Sequence, residues 1–153
     1  MADRWIKPGF AVIGMEGSTR DSEGFVARLW AQANARYDEV AALAIRDEQG
    51  RPVGLWGAMT DFSRSFMPWE DGFTQGLYLA GVECAPDAQP PQGWSVWHIP
   101  GFEYLRVKDA GGDTFAGGLR LLEEQGLVLC GAAQDYTCPA TGESFVLFPI
   151  RRL

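Results

Sequence analysis

The order of segments along this chain constrains its fold more than any single residue does. Phe10–Gly14 is a short apolar strand entered through Pro8-Gly9. Phe25, Leu29, Ala33, Tyr37 and Val40 then recur at helical spacing, with Val26 and Trp30 flanking the stripe. That pattern predicts a long amphipathic helix, capped at Asp21 or Ser22 and ending near Ala44. Val53–Thr60 and Gly76–Cys84 read as strands. From Phe102 the order recurs: Phe102–Val107 as a strand, then a helix capped by Asp113 and carrying Phe115, Leu119 and Leu122 up to Gly126. Strands at Ala133–Thr137 and Ser144–Ile150 follow. Residues 10–84 and 102–150 therefore both run strand, helix, strand, strand, with Trp94–Ile99 as an additional strand. Residue identity between the halves is slight, so the repeat is architectural.

Two such units, about 9–84 and 94–153 of one domain spanning 1–153, are expected to build an α+β fold. One antiparallel sheet would carry both helices on one face and leave the other face to curve around a ligand cleft. Bulk properties limit what the cleft serves. A formal charge of −7 argues against direct nucleic-acid binding, which needs basic side chains to neutralise phosphates. The sequence has no apolar run long enough for a signal peptide or a membrane span. Three cysteines, Cys84, Cys130 and Cys138, fit a reducing cytoplasm better than a disulfide framework. With His98 they could supply zinc ligands, but there is no Cys-x-x-Cys pair, and no metal or cofactor is expected.

The chemistry concentrates in a few places. Glu83 interrupts the apolar run of Gly76–Cys84, and an unpaired buried carboxylate is costly. It is therefore at a strand end in water, paired with a cation, or lining a pocket. Glu103 is likewise a charge between Phe102 and Tyr104. Six Trp residues exceed what a core of this size needs, and Asp61–Thr74 is a long loop rich in aromatic rings without a period. Trp56, Trp69, Tyr78, Trp97, Tyr104 and Tyr136 are candidates for an aromatic cage, each weighed against an ordinary core role. Trp30 and Phe25, on the helix stripe, are assigned to the core.

Phe10-Ala-Val-Ile-Gly14, Leu29-Trp30, Gly57, Leu79-Ala-Gly-Val-Glu83, Ile99-Pro-Gly-Phe-Glu-Tyr104 and Phe148-Pro-Ile150 together resemble the GyrI-like small-molecule-binding domain. That family includes effector-binding modules of AraC- and MerR-type bacterial transcription regulators. The resemblance spans essentially the whole chain and implies a pseudo-twofold fold with a cleft between its halves. It implies hydrophobic, often cationic, xenobiotic-like ligands held by aromatic walls and an acidic residue, and here a stand-alone member. The family's acid precedes a Tyr in a Glu-x-Tyr arrangement. Gln134-Asp135-Tyr136 stands at that place, so the acid is shifted to Asp135 or missing.

The expected ligand-binding set is thus Trp56, Trp69, Tyr78, Glu83, Trp97, Glu103, Tyr104, Asp135 and Tyr136. A small-molecule-binding protein is the preferred function. The alternative is a hydrolase of cyclopropane-bearing electrophiles, with Glu83 and Glu103 as catalytic acid and base in the same cage. A gyrase-interacting inhibitor is a third reading, for which no residue speaks directly.

Overall fold

The computed structural model describes residues 2–153; Met1, the first residue of the expected domain, lies outside them. Its elements are β1 (Ala2–Lys7), β2 (Phe10–Ser18), α1 (Phe25–Ala35), β3 (Leu55–Thr60), the single turn α2 (Glu70–Phe73), β4 (Leu77–Cys84), β5 (Ser95–Ile99), β6 (Phe102–Lys108), α3 (Thr114–Glu124), β7 (Gln134–Thr137) and β8 (Ser144–Arg152). The eight strands form one sheet in the order β1-β6-β8-β7-β3-β4-β2-β5, with every pairing antiparallel. The architectural repeat is the organising principle. One half contributes β3-β4-β2, the other β7-β8-β6, and they meet where Gly57 on β3 pairs with Asp135 on β7. The outer strands are exchanged: β1, which precedes the first half, pairs with β6 of the second, and β5 of the second half pairs with β2 of the first.

One sheet face packs against α1 and α3. Ile13, Met15, Ala80 and Val82 meet Leu29 and Ala33 of α1, while Leu105, Val146 and Phe148 meet Phe115, Leu119 and Leu122 of α3. The helix-free face is curled onto itself. Trp5 on β1 and Trp56 on β3 lie four strand spacings apart, about 19 Å on a flat sheet at about 4.8 Å each. Their rings nevertheless stack with centroids 6.5 Å apart, and Phe10 comes within 4.6 Å of Trp56. Trp56, Phe102, Tyr104 and Leu147 are buried completely there. The helix-free face, where a ligand cleft was expected, is thus filled by its own side chains. Right-handed twist closes it, and the exchanged outer strands bring rings from both halves to its centre.

Other differences are local. β1 was not foreseen, because Ala-Asp-Arg-Trp-Ile-Lys is half polar and gains its apolar contacts only through pairing with β6. The first helix stops at Ala35 and gives way to 3₁₀ turns at Tyr37–Glu39 and Ala41–Leu43. Arg36 explains the break: its guanidinium binds the Glu39 carboxylate and the Gln92 carbonyl, which turns the chain while Val40 stays buried. The N-cap of α1 is Gly24 in a left-handed conformation rather than Asp21 or Ser22. Asp113 caps α3 as expected, accepting from the Ala116 N–H at 3.0 Å. In the aromatic loop, burial of Asp61 works against its charge, but hydrogen bonds from Ser63, Thr60, Ser65 and Met67 outweigh it and lower its pKa. That carboxylate organises the loop.

Candidate functional site

The sheet divides the expected site residues between its faces, because neighbouring residues of a strand point to opposite sides. Trp56, Glu83, Trp97, Tyr104 and Tyr136 belong to or border the aromatic core of the helix-free face. Trp69, Tyr78 and Asp135 lie on the helical face. Glu103 alternates with the buried Phe102 and Tyr104, so it points away from them, and it accepts from Arg151 Nε at 3.0 Å. Glu83 and Glu103 therefore face opposite sides of the sheet and do not form an acid–base pair.

Glu83 is a paired carboxylate. Lys7 Nζ lies 3.1 Å from its Oε2, and Trp56 Nε1 donates to its Oε1 at 3.2 Å. The Lys7 ammonium also sits 4.5 Å from the Phe10 ring centroid, 5.6 Å from that of Trp5 and 5.8 Å from that of Trp56. This is a cation site of rings and acid filled by the chain's own lysine. Trp97 is engaged as well, donating from Nε1 to Glu16 Oε1 at 2.6 Å, and Arg64 pairs with the same carboxylate. The Tyr104 hydroxyl is fully enclosed and is the one such side-chain atom without a hydrogen-bond partner among the described residues.

The larger open spaces lie on the other face, on the side of α1 and α3. A cavity of about 310 Å³ is walled by Met59, Trp69, Phe73, Phe115 and Val146, with Asp135 as its only ionisable lining residue. Phe73, from the aromatic loop, packs edge-on against Phe115 of α3, centroids 5.2 Å apart, so the two halves share this wall. A second lobe of about 260 Å³, also bordered by Asp135, lies between Trp30, Tyr78, Thr137 and Ser144. Asp135 thus lines both. Burial, with a contribution from the charge of Asp109, pushes its carboxyl up to about 6, and no hydrogen bond from a neighbouring group holds it down. Opposite it, Gly57 has no room for a side chain: a Cβ would lie 2.0 Å from the Tyr78 hydroxyl oxygen. That absence lets the Tyr78 ring cross the floor, where its hydroxyl accepts from Trp30 Nε1 at 3.0 Å. A largely buried acid with no protein cation beside it among the described residues, between aromatic walls, can accept a proton, donate one, or pair with a ligand's positive charge.

Of the residues expected from the sequence, Trp69, Tyr78 and Asp135 line these lobes; Trp30, assigned to the core, packs against it and lines the smaller lobe as well, while Phe73, Phe115 and Asp109 were not expected there. Trp30 and Phe115 lie on regular helical stripes, which look the same whether the helix faces a core or a cleft. Phe73 was visible only as part of an aperiodic aromatic loop. The acid–Tyr pair at Asp135-Tyr136 was the one local signal that led to the cleft.

No family model matches the chain, and no curated protein matches it. Among solved structures it is similar to the EcmrR C-terminal domain, with a TM-score of 0.66 at 10% identity over 100% of this chain and 98% of that one. It matches EcmrR in a DNA complex with a TM-score of 0.66 at 11% identity, covering 100% of this chain but only 58% of that one. SAV2435 bound to tetraphenylphosphonium matches with a TM-score of 0.54 at 12% identity, over 99% and 94% of the two chains. These likenesses establish a shared fold, the one that the GyrI-like resemblance implies. Among the described residues, no helix is long and apolar enough to cross a membrane.

Proposed function

We propose that this chain is a GyrI-like small-molecule-binding domain whose ligands are hydrophobic cations, held in the cleft on the side of α1 and α3 with Asp135 as counter-charge. The observation that carries the reading is Asp135 itself. It is a largely buried carboxyl, raised to about 6, lining both cavity lobes and without a cationic partner among the described residues. An unpaired acid in such a place is costly to the fold, and a bound cation would offset that cost. Trp30, Trp69, Tyr78 and Phe115 supply ring faces, each worth about 0.5–2 kcal/mol to a cation placed over it. The fold shared with SAV2435, which is bound to tetraphenylphosphonium in its structure, supports the same ligand class.

Tetraphenylphosphonium titration followed by Trp fluorescence tests the proposal, because Trp30 and Trp69 line the lobes. Saturable quenching is expected, weakened about tenfold or more by Asp135→Asn, as for loss of one desolvated charge contact. No saturable change up to roughly millimolar ligand, where binding would be worth only about 4 kcal/mol, would sink it.

A hydrolytic reading finds support in one group only. With a pKa of about 6, Asp135 holds a proton over part of the neutral range and could deliver it to the leaving oxygen of an electrophile. Mass spectrometry of a cyclopropane-bearing alkylator incubated with the protein decides it: hydrolysed product lost in Asp135→Asn supports turnover, and intact substrate excludes it.

A further inference from the structure

The smaller lobe contains a hydrogen-bond donor that the reading above does not use. Tyr78 is only 3% exposed, and its hydroxyl carries one proton besides the oxygen that can accept. Trp30 Nε1, which can only donate, takes the accepting side at 3.0 Å. The hydroxyl's own proton has no acceptor among the described residues. Burial raises the pKa of the phenol, and the charge of Asp135 adds to this, so the proton stays in place across the neutral range. Phe25 packs edge-on against the Tyr78 ring and Trp30 holds its far end, which fixes where the hydroxyl stands. A side chain at Gly57 would begin 2.0 Å from the Tyr78 hydroxyl oxygen and 3.1 Å from the Asp135 Cβ, so hydroxyl and carboxyl are neighbours. Trp30, Gly57, Tyr78 and Asp135 all line the lobe. A buried donor left unpaired is costly, and an oxygen carried by a ligand would offset that cost.

We infer that Tyr78 is a specificity-determining donor, and that the cleft selects hydrophobic amines bearing an acceptor oxygen close to the charged nitrogen, with the nitrogen at Asp135 and the oxygen at Tyr78. The inference rests on the proposed reading of the cleft as a cation site and adds a second polar group to the ligand. Because hydroxyl and carboxyl are neighbours, a nitrogen and an oxygen on adjacent carbons, as in a 2-alkoxyethylamine, reach both at once, whereas an oxygen at the far end of the ligand does not. Discrimination arises from the analogue that lacks the oxygen. A methylene in its place leaves the Tyr78 proton unpaired inside the complex, and a site built around a hydrogen bond rejects the ligand that cannot make it. Tetraphenylphosphonium carries no oxygen and engages the charge and the rings alone.

The test compares N-(1-naphthylmethyl)-2-methoxyethylamine with N-(1-naphthylmethyl)butylamine, in which a methylene replaces the ether oxygen, by calorimetry at neutral pH. On the unmodified chain the ether is expected to bind about tenfold tighter, although the butyl chain is the more hydrophobic. Tyr78→Phe should erase or reverse that preference while both amines still bind, whereas Asp135→Asn should weaken both. Trp30→Phe keeps the hydroxyl but removes its anchor, so it should shrink the preference, and it serves as the deciding variant if Tyr78→Phe does not fold. Equal binding of the two amines to the unmodified chain, a preference that survives Tyr78→Phe, or, where that variant does not fold, a preference unchanged in Trp30→Phe overturns this inference and leaves the cation site standing. Failure of both amines and of tetraphenylphosphonium to bind removes the cation site, and this inference with it.

Discussion

Replacing Asp135 by Asn should stabilise the protein at neutral pH while damaging its cleft, and the size of the gain can be worked out. An acid whose pKa is higher folded than unfolded binds its proton more tightly in the native state, so stability falls as pH rises between the two values. For Asp135 these are the ordinary 3.8 and about 6. At about 1.36 kcal/mol per pH unit, the penalty grows to about 3 kcal/mol by pH 6–7 and then levels off. Asn keeps the shape and cannot ionise. Urea unfolding of both proteins from pH 4 to pH 8 should show curves that nearly coincide at the acid end and separate by about 3 kcal/mol above pH 6, favouring Asn. Other carboxylates titrate in both proteins and cancel in the difference. Tyr78 and Asp109, which line the smaller lobe together with Asp135, are retained in both. A difference that stays flat over this range, or an Asn variant less stable than the parent at pH 8, would refute the claim that Asp135 is buried without a counter-charge. A saturating hydrophobic cation should recover part of the same penalty in the parent alone.

Lys7→Met should cost about 3–5 kcal/mol in denaturant unfolding, because it leaves the Glu83 carboxylate buried with only the Trp56 N–H. Adding Glu83→Gln should return much of that loss, and simple additivity would show that the two groups do not interact. Tyr104→Phe should be neutral or stabilising by about 1 kcal/mol, since the enclosed hydroxyl has no partner; a marked drop in melting temperature would contradict this. Gly57→Ala should destabilise by about 1–3 kcal/mol and weaken ligand binding, because its Cβ would displace the Tyr78 ring, 2.0 Å away at the hydroxyl and 2.7 Å at the adjoining carbon. Unchanged near-UV circular dichroism and affinity in that variant would show that the Tyr78 position is not needed.

The sequence by itself determined the class of fold and most of the elements that build it. Helical stripes, strand runs and turn residues are local properties, and the strand-helix-strand-strand order read twice along the chain is the order of the elements in the structure, apart from β1, β5 and the single turn α2. Asp113 was legible as a cap because capping depends only on residues a few positions apart. The sequence also marked Glu83 as a carboxylate needing an explanation, and Asp135 as the acid beside a Tyr. Which face each occupies, and who meets it there, came only from the tertiary structure. Alternation relates residues within one strand, but pairing between strands and curling of the sheet decide which strands' residues share a space. Glu83 is answered by Lys7 of a strand 76 residues away, which was too polar to stand out. Asp135 remains uncompensated because its neighbours across the cleft are rings, a glycine and a second acid. The curl of the sheet buried Trp56 and Tyr104 on one face and left the larger open spaces on the other, beside two helices whose stripes look like ordinary core.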